Sequence, residues 1–246
     1  MAMPKNLETR IAELEAELQQ GRKEFDDFVY RVSHDLQAPL RAVIGFGGLL
    51  ARAISERLSP EEREDLDMMI SSAHRAQALL DSTLRFGRLS SAPRNIVPVD
   101  CDTLVAESVA FFKKQIAEAG ATITIDKLPV VMADETMLGQ IFTRLLDNAL
   151  KFSAPGKPPV IHISARKKGD RWVITIADNG IGVAEKHQDK IFELFRKLYG
   201  DQYPGLGEGL AFVKRLMGYL GGEITVEAAP EQGAKFHLSF PVSEGV

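Results

Sequence analysis

One repeat governs the first third of this chain. Apolar residues recur at Leu7, Ile11, Leu14, Leu18, Phe25, Phe28 and Val32, at spacings of 3, 4 and 7, and the seam is interrupted only at Gly21. That is the period of a narrow apolar stripe on an α-helix, and the residues between are Glu, Arg, Lys and Gln, as on a solvated coiled-coil flank. A stripe of this kind cannot be buried by the helix that carries it, so it demands a partner helix. After Val32 the seam slips by one residue and continues at Leu36, Leu40, Val43 and Leu50. The slip coincides with Pro39, which removes a backbone donor and predicts a kink.

Ser59-Pro60-Glu61-Glu62 restarts the chain, with Ser59 as N-cap, Pro60 in the first helical position and Glu62 closing a capping box. The second helix carries Leu66, Ile70, Ala73, Leu80 and Leu84 on one face. Two such helices form a hairpin that still leaves apolar surface exposed, and pairing two hairpins into a four-helix bundle is the simplest remedy. The chain thus divides into an N-terminal coiled coil (1–24), a hairpin domain (25–87), a Ser-, Pro- and Asn-containing linker (88–99) and a second domain (100–246).

The second domain alternates element types. A helix is predicted from near Asp102 to Ala119, a strand near Thr122 to Ile125, and a helix from Asp134 (N-cap) to Phe152. Ile161-His162-Ile163 and Trp172 to Ala177 read as strands, a further helix begins near Gly209, and closing strands lie near Glu223 to Glu227 and Ala234 to Phe240. The fold class is therefore α followed by α/β: a helical hairpin, then a sandwich whose sheet is covered by helices on one face.

Composition excludes several functions. With 45% hydrophobic residues a real core is available, and 30 Lys and Arg against 34 Asp and Glu leave a net charge of −4. That balance offers no basic surface to make nucleic acid the main partner. A lone cysteine, Cys101, excludes an internal disulfide and multi-cysteine metal sites. The longest mostly apolar stretch, Ala42 to Ile54, is too short to span a bilayer and contains Arg52. No secretory signal opens the chain, so a cytoplasmic location is expected.

Four groups of residues carry chemistry. His34 lies about 200° around the helix from Val32, so its imidazole should face water. A neutral imidazole is a competent nitrogen nucleophile near pH 7, and the adjacent Asp35 could orient it or accept its proton. Asp178-Asn179-Gly180-Ile181-Gly182 follows an apolar strand, where an acceptor and two glycines admit a planar ligand close to the backbone. Gly205-Leu206-Gly207-Glu208-Gly209-Leu210 leads into a helix, an arrangement that presents backbone N–H groups to phosphate. Asn148 and Lys151 share one helix face, an amide oxygen beside an ammonium that suits a magnesium–phosphate pair. Taken singly, each is also compatible with an ordinary surface, turn or hinge.

Their order is more specific than any one of them. Ser33-His34-Asp35-Leu36-Gln37-Ala38-Pro39-Leu40-Arg41, then Asn148-Ala149-Leu150-Lys151-Phe152, the Asp178 motif, Phe192 to Phe195 and the glycine loop resemble the transmitter region of a bacterial sensor histidine kinase over about residues 25 to 240. Arg196-Lys197-Leu198-Tyr199 and Tyr203-Pro204-Gly205 resemble the subgroup attached to phytochrome or PAS sensors. The resemblance implies a homodimer in which His34 attacks the γ-phosphate of ATP, with Asp35 as base or orienter, and passes the phosphoryl group to an Asp of a response regulator receiver domain. It implies an ATP-binding domain of the gyrase and MutL type. There Asp178 would take the adenine amine, Gly180 and Gly182 would line the purine pocket, and Asn148 would coordinate Mg²⁺. Lys151 would pair with phosphate and Phe152 would pack near the nucleoside. Arg196 and Leu210 would complete the ATP site, with Gly205, Gly207 and Gly209 hinging a lid. No sensor domain is recognisable, and the opening heptads would transmit a signal from an upstream module.

The chain departs from that pattern at four places. Gyrase-like ATPases hold a water-activating Glu one turn before the metal-binding Asn; here the position is Arg144, which cannot act as a base, and many kinases have Asn there. Leu206 replaces Thr or Ser, and Glu208 replaces an apolar residue where a carboxylate would repel triphosphate unless it pointed outward. Lowered nucleotide affinity or turnover is the expectation. Ala38 stands where phosphatase-active members hold Thr or Asn, which predicts weak phosphatase activity. The competing reading is a phosphotransfer or scaffold protein with a degenerate nucleotide domain; a DNA-topology ATPase is disfavoured by the missing Glu and by the His34 helix.

Overall fold

The computed structural model describes residues 5–89, 94–228 and 232–242. The chain forms two compact units, Met1–Ala92 and Pro93–Val246.

The first unit is a hairpin of α1 (Lys5–Ile54) and α2 (Pro60–Arg88). The capping box forms as the sequence predicts: Glu62 N–H donates to Ser59 Oγ at 3.2 Å, and Ser59 N–H donates to the Glu62 carboxylate at 2.8 Å. The helix is continuous through Pro39, so the proline interrupts one backbone bond without ending the element. The face packed on α2 differs from the apolar seam. Ser33 and Gly47 are buried there, and a Cβ on Gly47 would come within 2.9 Å of Ile70, so a small residue sets the helix separation. Gln37 donates to Asp81 across the hairpin at 2.8 Å. The seam residues Phe28, Val32, Leu36, Val43 and Leu50 are instead exposed and form a second apolar face, joined by Phe46 at 73% exposure. Leu66, Ile70, Ala73, Leu80 and Leu84 on α2 are buried or half-buried, as their spacing predicts. The side chains of Leu7, Ile11, Leu18 and Phe25 lie outside the described residues.

The second unit is an α/β sandwich. Its main sheet has the order β2-β4-β5-β7-β6, from β2 (Thr122–Ile125), β4 (Val160–Lys168), β5 (Arg171–Asp178), β6 (Glu223–Ala228) and β7 (Ala234–Pro241). Only β2 and β4 pair in parallel; the remaining neighbours are antiparallel. A parallel pair needs a crossover, supplied by α5 (Glu135–Lys151), which Asp134 caps as predicted by accepting from Met137 N–H at 3.0 Å. The core lies between the sheet and α3 (Cys101–Phe111), α5 and α6 (Gly209–Tyr219): Ile161, Ile163, Ile174 and Leu238 from strands meet Leu138, Ile141, Phe142 and Leu216 from helices, all fully buried. Each such side chain contributes about 1.5–3 kcal/mol by burial.

Two expectations need correction. The helix expected from Asp102 to Ala119 is two helices, α3 (Cys101–Phe111) and α4 (Lys113–Ala119), capped by Asp100 and divided at Phe112. Phe112 is buried while Phe111 is 75% exposed, so turning the aromatic inward breaks the helical run. Residues Val97–Val99 of the expected linker belong to strand β1 (Val97–Asp100), which pairs with an unforeseen strand β3 (Val130–Ala133). Residues 90–93 of that linker lie outside the described part.

Candidate nucleotide pocket and phosphoacceptor histidine

The hydrophobic face of α5 determines where its polar face points. Leu145, Leu146 and Ala149 are packed in the core, leaving Asn148 and Lys151 on the opposite, cavity side. The cavity holds about 260 Å³ and is closed by the end of β5, the segment that follows it and the glycine loop entering α6. Of the predicted ATP residues, Asn148, Lys151, Phe152, Asp178, Gly182, Arg196, Gly205, Gly207, Gly209 and Leu210 all line it.

Asp178 is held from two sides, accepting at Oδ1 from Gly180 N–H at 2.8 Å and Ala234 N–H at 3.1 Å. Burial pushes its carboxyl above the usual range, opposed by those two bonds. Oδ2 has no hydrogen-bond partner among the described residues and is left for a ligand donor.

Gly180 does not line the cavity. A Cβ there would lie 2.3 Å from the Phe152 carbonyl oxygen, so glycine is required for backbone packing, not for direct purine contact. That same carbonyl accepts from Ile181 N–H at 3.0 Å, tying the end of α5 to the Asp178 loop.

The glycine loop packs over the polar face of α5. A Cβ on Gly205 would be 3.0 Å from Lys151 Nζ, and one on Gly209 would be 3.8 Å from the Asn148 amide. The Asn148 amide nitrogen is buried without a hydrogen-bond partner among the described residues, so it has N–H groups left to donate to an acceptor such as a phosphate oxygen. Burial holds the Lys151 ammonium below its ordinary range, Asp147 opposes the shift and Lys197 adds to it. An anion beside it would relieve that strain.

Two tyrosines join Phe152 in an aromatic wall that the sequence does not predict. Tyr203 tilts against Phe152 at 4.9 Å between centroids, Tyr199 meets Tyr203 edge-on at 5.9 Å, and Tyr199 Oη donates to the Gly182 carbonyl at 3.1 Å. Their place in Leu198-Tyr199 and Tyr203-Pro204 was the available signal. Glu208 does not point outward: it lines the cavity 3.9 Å from Arg144.

On α1, His34 is exposed, its side chain 68% accessible, and its Nδ1 lies 3.3 Å from Asp35 Oδ1. The exposure agrees with the expectation, although the inward reference is Ser33 rather than Val32. Tyr30, one turn earlier, stacks near the imidazole at 6.4 Å between centroids and lies under the Arg88 guanidinium at 5.5 Å. His162 and His237 are engaged instead with Thr124 and Thr175 across the sheet.

A histidine hairpin and a cavity built on this sandwich define a phosphoacceptor domain followed by a nucleotide-binding domain. Comparison with known families agrees: residues 26–92 match the His Kinase A (phospho-acceptor) domain, and residues 133–244 match the histidine kinase-, DNA gyrase B- and HSP90-like ATPase. The chain belongs with the sensor histidine kinases, as a transmitter region of the phytochrome-linked kind. It is 33% identical over 94% of its length to the phytochrome-like protein Cph1 of Synechocystis sp., and 34% identical over 94% to cyanobacterial phytochrome A of Nostoc sp.. It spans 31% and 30% of those relatives, about a third of their length. Among solved structures, full-length ShkA in complex with AMPPNP superposes with a TM-score of 0.63 at 28% identity, covering 89% of this chain and 47% of that one. The mycobacterial sensor histidine kinase MprB gives 0.53 at 26% identity, over 60% of this chain and 97% of that one. No helix among the described residues is long and apolar enough to cross a membrane.

Proposed function

We propose that this chain is the kinase core of a two-component system, which binds Mg-ATP in the second unit, phosphorylates His34 and hands the phosphoryl group to an aspartate on a response regulator receiver domain. The observation that carries the reading is the convergence of Asn148, Lys151, Asp178 and the glycine loop on one cavity. Asp178 Oδ2 accepts from the adenine amine, the aromatic wall packs on the nucleoside, and Lys151 with the loop N–H groups takes the phosphates. Arg196 completes the pocket wall. Asn148 would hold Mg²⁺ through its amide oxygen, and the metal would supply positive charge to offset that of the phosphate oxygens.

With Nδ1 turned to Asp35, Nε2 is the nucleophile. Its lone pair forms the bond to the γ-phosphorus as the bond to the β–γ bridging oxygen breaks, and that electron pair leaves with ADP. The Nδ1 proton is held by Asp35, which stabilises the positive charge developing on the ring. Arg144 supplies no base for water, so transfer to His34 is favoured over hydrolysis. Ala38 offers no side chain to position a water against the phosphorylated aspartate of the partner, consistent with weak phosphatase activity toward it. The exposed face of Phe28, Val32, Leu36 and Val43 suits a second copy of the hairpin, giving a homodimeric four-helix bundle. A cytoplasmic site of action accords with ATP as donor and an unpaired buried cysteine.

The test is incubation with γ-labelled ATP, comparing this chain with His34→Gln. An acid-labile, base-stable label that the variant loses supports the assignment. A label retained in the variant, or none in the wild-type chain while ATP still binds, refutes it; the latter result would favour a scaffold.

A further inference from the structure

Arg144 and Glu208 are far apart in the sequence, and the fold places them together. Arg144 Nη1 lies 3.9 Å from Glu208 Oε1, with side-chain exposures of 25% and 19%, and both line the cavity. The Arg144 guanidinium also lies 4.4 Å over the ring of Phe212, which is buried on α6. Glu208 N-caps α6 through its backbone, its carbonyl accepting from Phe212 N–H at 3.0 Å, while its side chain makes no capping bond. Arg144 on α5 thus reaches two groups of the first turn of α6, immediately after the glycine loop and one helical turn from Asn148.

We propose that Arg144 is a positioning residue whose charge neutralises Glu208, so that the pair sets selectivity for the phosphate end of the nucleotide. A carboxylate facing this cavity repels a ligand in proportion to the ligand's negative charge, and a guanidinium beside it cancels that repulsion. The pair therefore discriminates by phosphate number and leaves the adenosine contacts at Asp178 untouched. It rests on the nucleotide reading above and adds to it a coupling between two residues that neither the metal site nor the purine site requires.

The experiment is calorimetric titration of ATP, ADP and adenosine into the wild-type chain, Arg144→Met, Glu208→Gln and the double variant, with circular dichroism to establish folding. Methionine preserves the apolar contact to Phe212 and removes the charge. Arg144→Met is expected to weaken ATP about tenfold, ADP about threefold and adenosine less than about twofold. Glu208→Gln is expected to leave ATP unchanged or about threefold tighter, and the double variant to return within about threefold of wild type. Equal losses for all three ligands would assign Arg144 a merely structural role and overturn the proposal. An ATP loss that persists undiminished in the double variant would make Arg144 a direct phosphate ligand and also overturn it. Should Arg144→Met fail to fold, Glu208→Gln decides alone: weaker ATP binding contradicts the proposal, unchanged or tighter binding supports it. Wild-type protein that binds none of the three ligands removes the nucleotide reading and this inference with it, an outcome distinct from the others.

Discussion

Ala234 N–H donates to Asp178 Oδ1 at 3.1 Å across 56 residues of sequence. The bond joins the end of β5 to the start of β7, so the side chain expected to read adenine is oriented by the sheet as much as by its own loop. Gly180 supplies the local half of that orientation, and the two donors together turn Oδ2 toward the cavity.

Asp178→Asn should separate recognition from stability. The amide oxygen can keep both backbone bonds, while its NH₂ meets the adenine amine donor to donor. ATP affinity should fall at least about tenfold, the loss of one charge-assisted bond. Because burial raises the carboxyl's folded-state value, the native state binds more protons than the unfolded state above the ordinary Asp range. This contribution is fully present at acid pH and is lost as pH rises through the raised value. Thermal melts of the wild-type chain against those of the Asn variant should show that decline only in the former, with the variant no less stable at pH 7. A variant that retains ATP affinity would sink the role.

Lys151 should couple nucleotide binding to protons. Burial depresses its ammonium, and bound phosphates would raise it again. ATP binding should therefore take up protons on the alkaline side, at lower pH than an ordinary lysine titrates, and Lys151→Arg should abolish the uptake. Calorimetry in buffers of differing ionisation enthalpy measures it; identical proton counts for both proteins would exclude Lys151 as the phosphate partner.

Asp35→Asn should slow labelling of His34 by about 10²-fold or more while ATP affinity stays constant, because its proposed role is confined to the imidazole proton. Rapid-quench measurement of phosphohistidine formation reads the effect. A rate within threefold of wild type, on the order of experimental scatter, would show that Nδ1 needs no carboxylate.

Gly233→Ala should be severely destabilising. Its φ is +78°, and a Cβ would fall 1.9 Å from the Asp178 carbonyl oxygen. Displacing that strand end should cost about 2 kcal/mol or more and weaken ATP binding with it. Urea denaturation combined with ATP titration tests both; full stability would mean that the β7 entrance yields freely.

Cys101 should report unfolding. Burial, with Asp100 and Asp102 adding to it, pushes its thiol up to about 12, and the side chain is 0% exposed. Alkylation by iodoacetamide at pH 8 should be undetectable in the native protein and complete in denaturant. Fast native modification would indicate local opening of α3.

Local signals were enough wherever chain neighbours meet the physical requirement. The capping box at Ser59, the Asp134 cap and the amphipathic face of α5 depend on contacts within one turn, and all were legible. So were Asn148 and Lys151, because the α5 core stripe dictates where they must point. Strand β3 escaped notice because four residues, Val130–Ala133, carry too little periodicity to distinguish strand from loop. The division of α3 from α4 was equally hidden, since it follows from burying Phe112 against distant elements.

Residue types and their order established the two helices, the alternating domain and the kinase-like motifs, since helix periodicity and turn chemistry act over a few residues. Packing alone settled that Gly180 lies under the Phe152 carbonyl, that the hairpin closes on Ser33 and Gly47 while the apolar seam faces outward, and that Arg144 meets Glu208. Each of those outcomes depends on distances between segments far apart in the chain, and no short-range propensity encodes such distances.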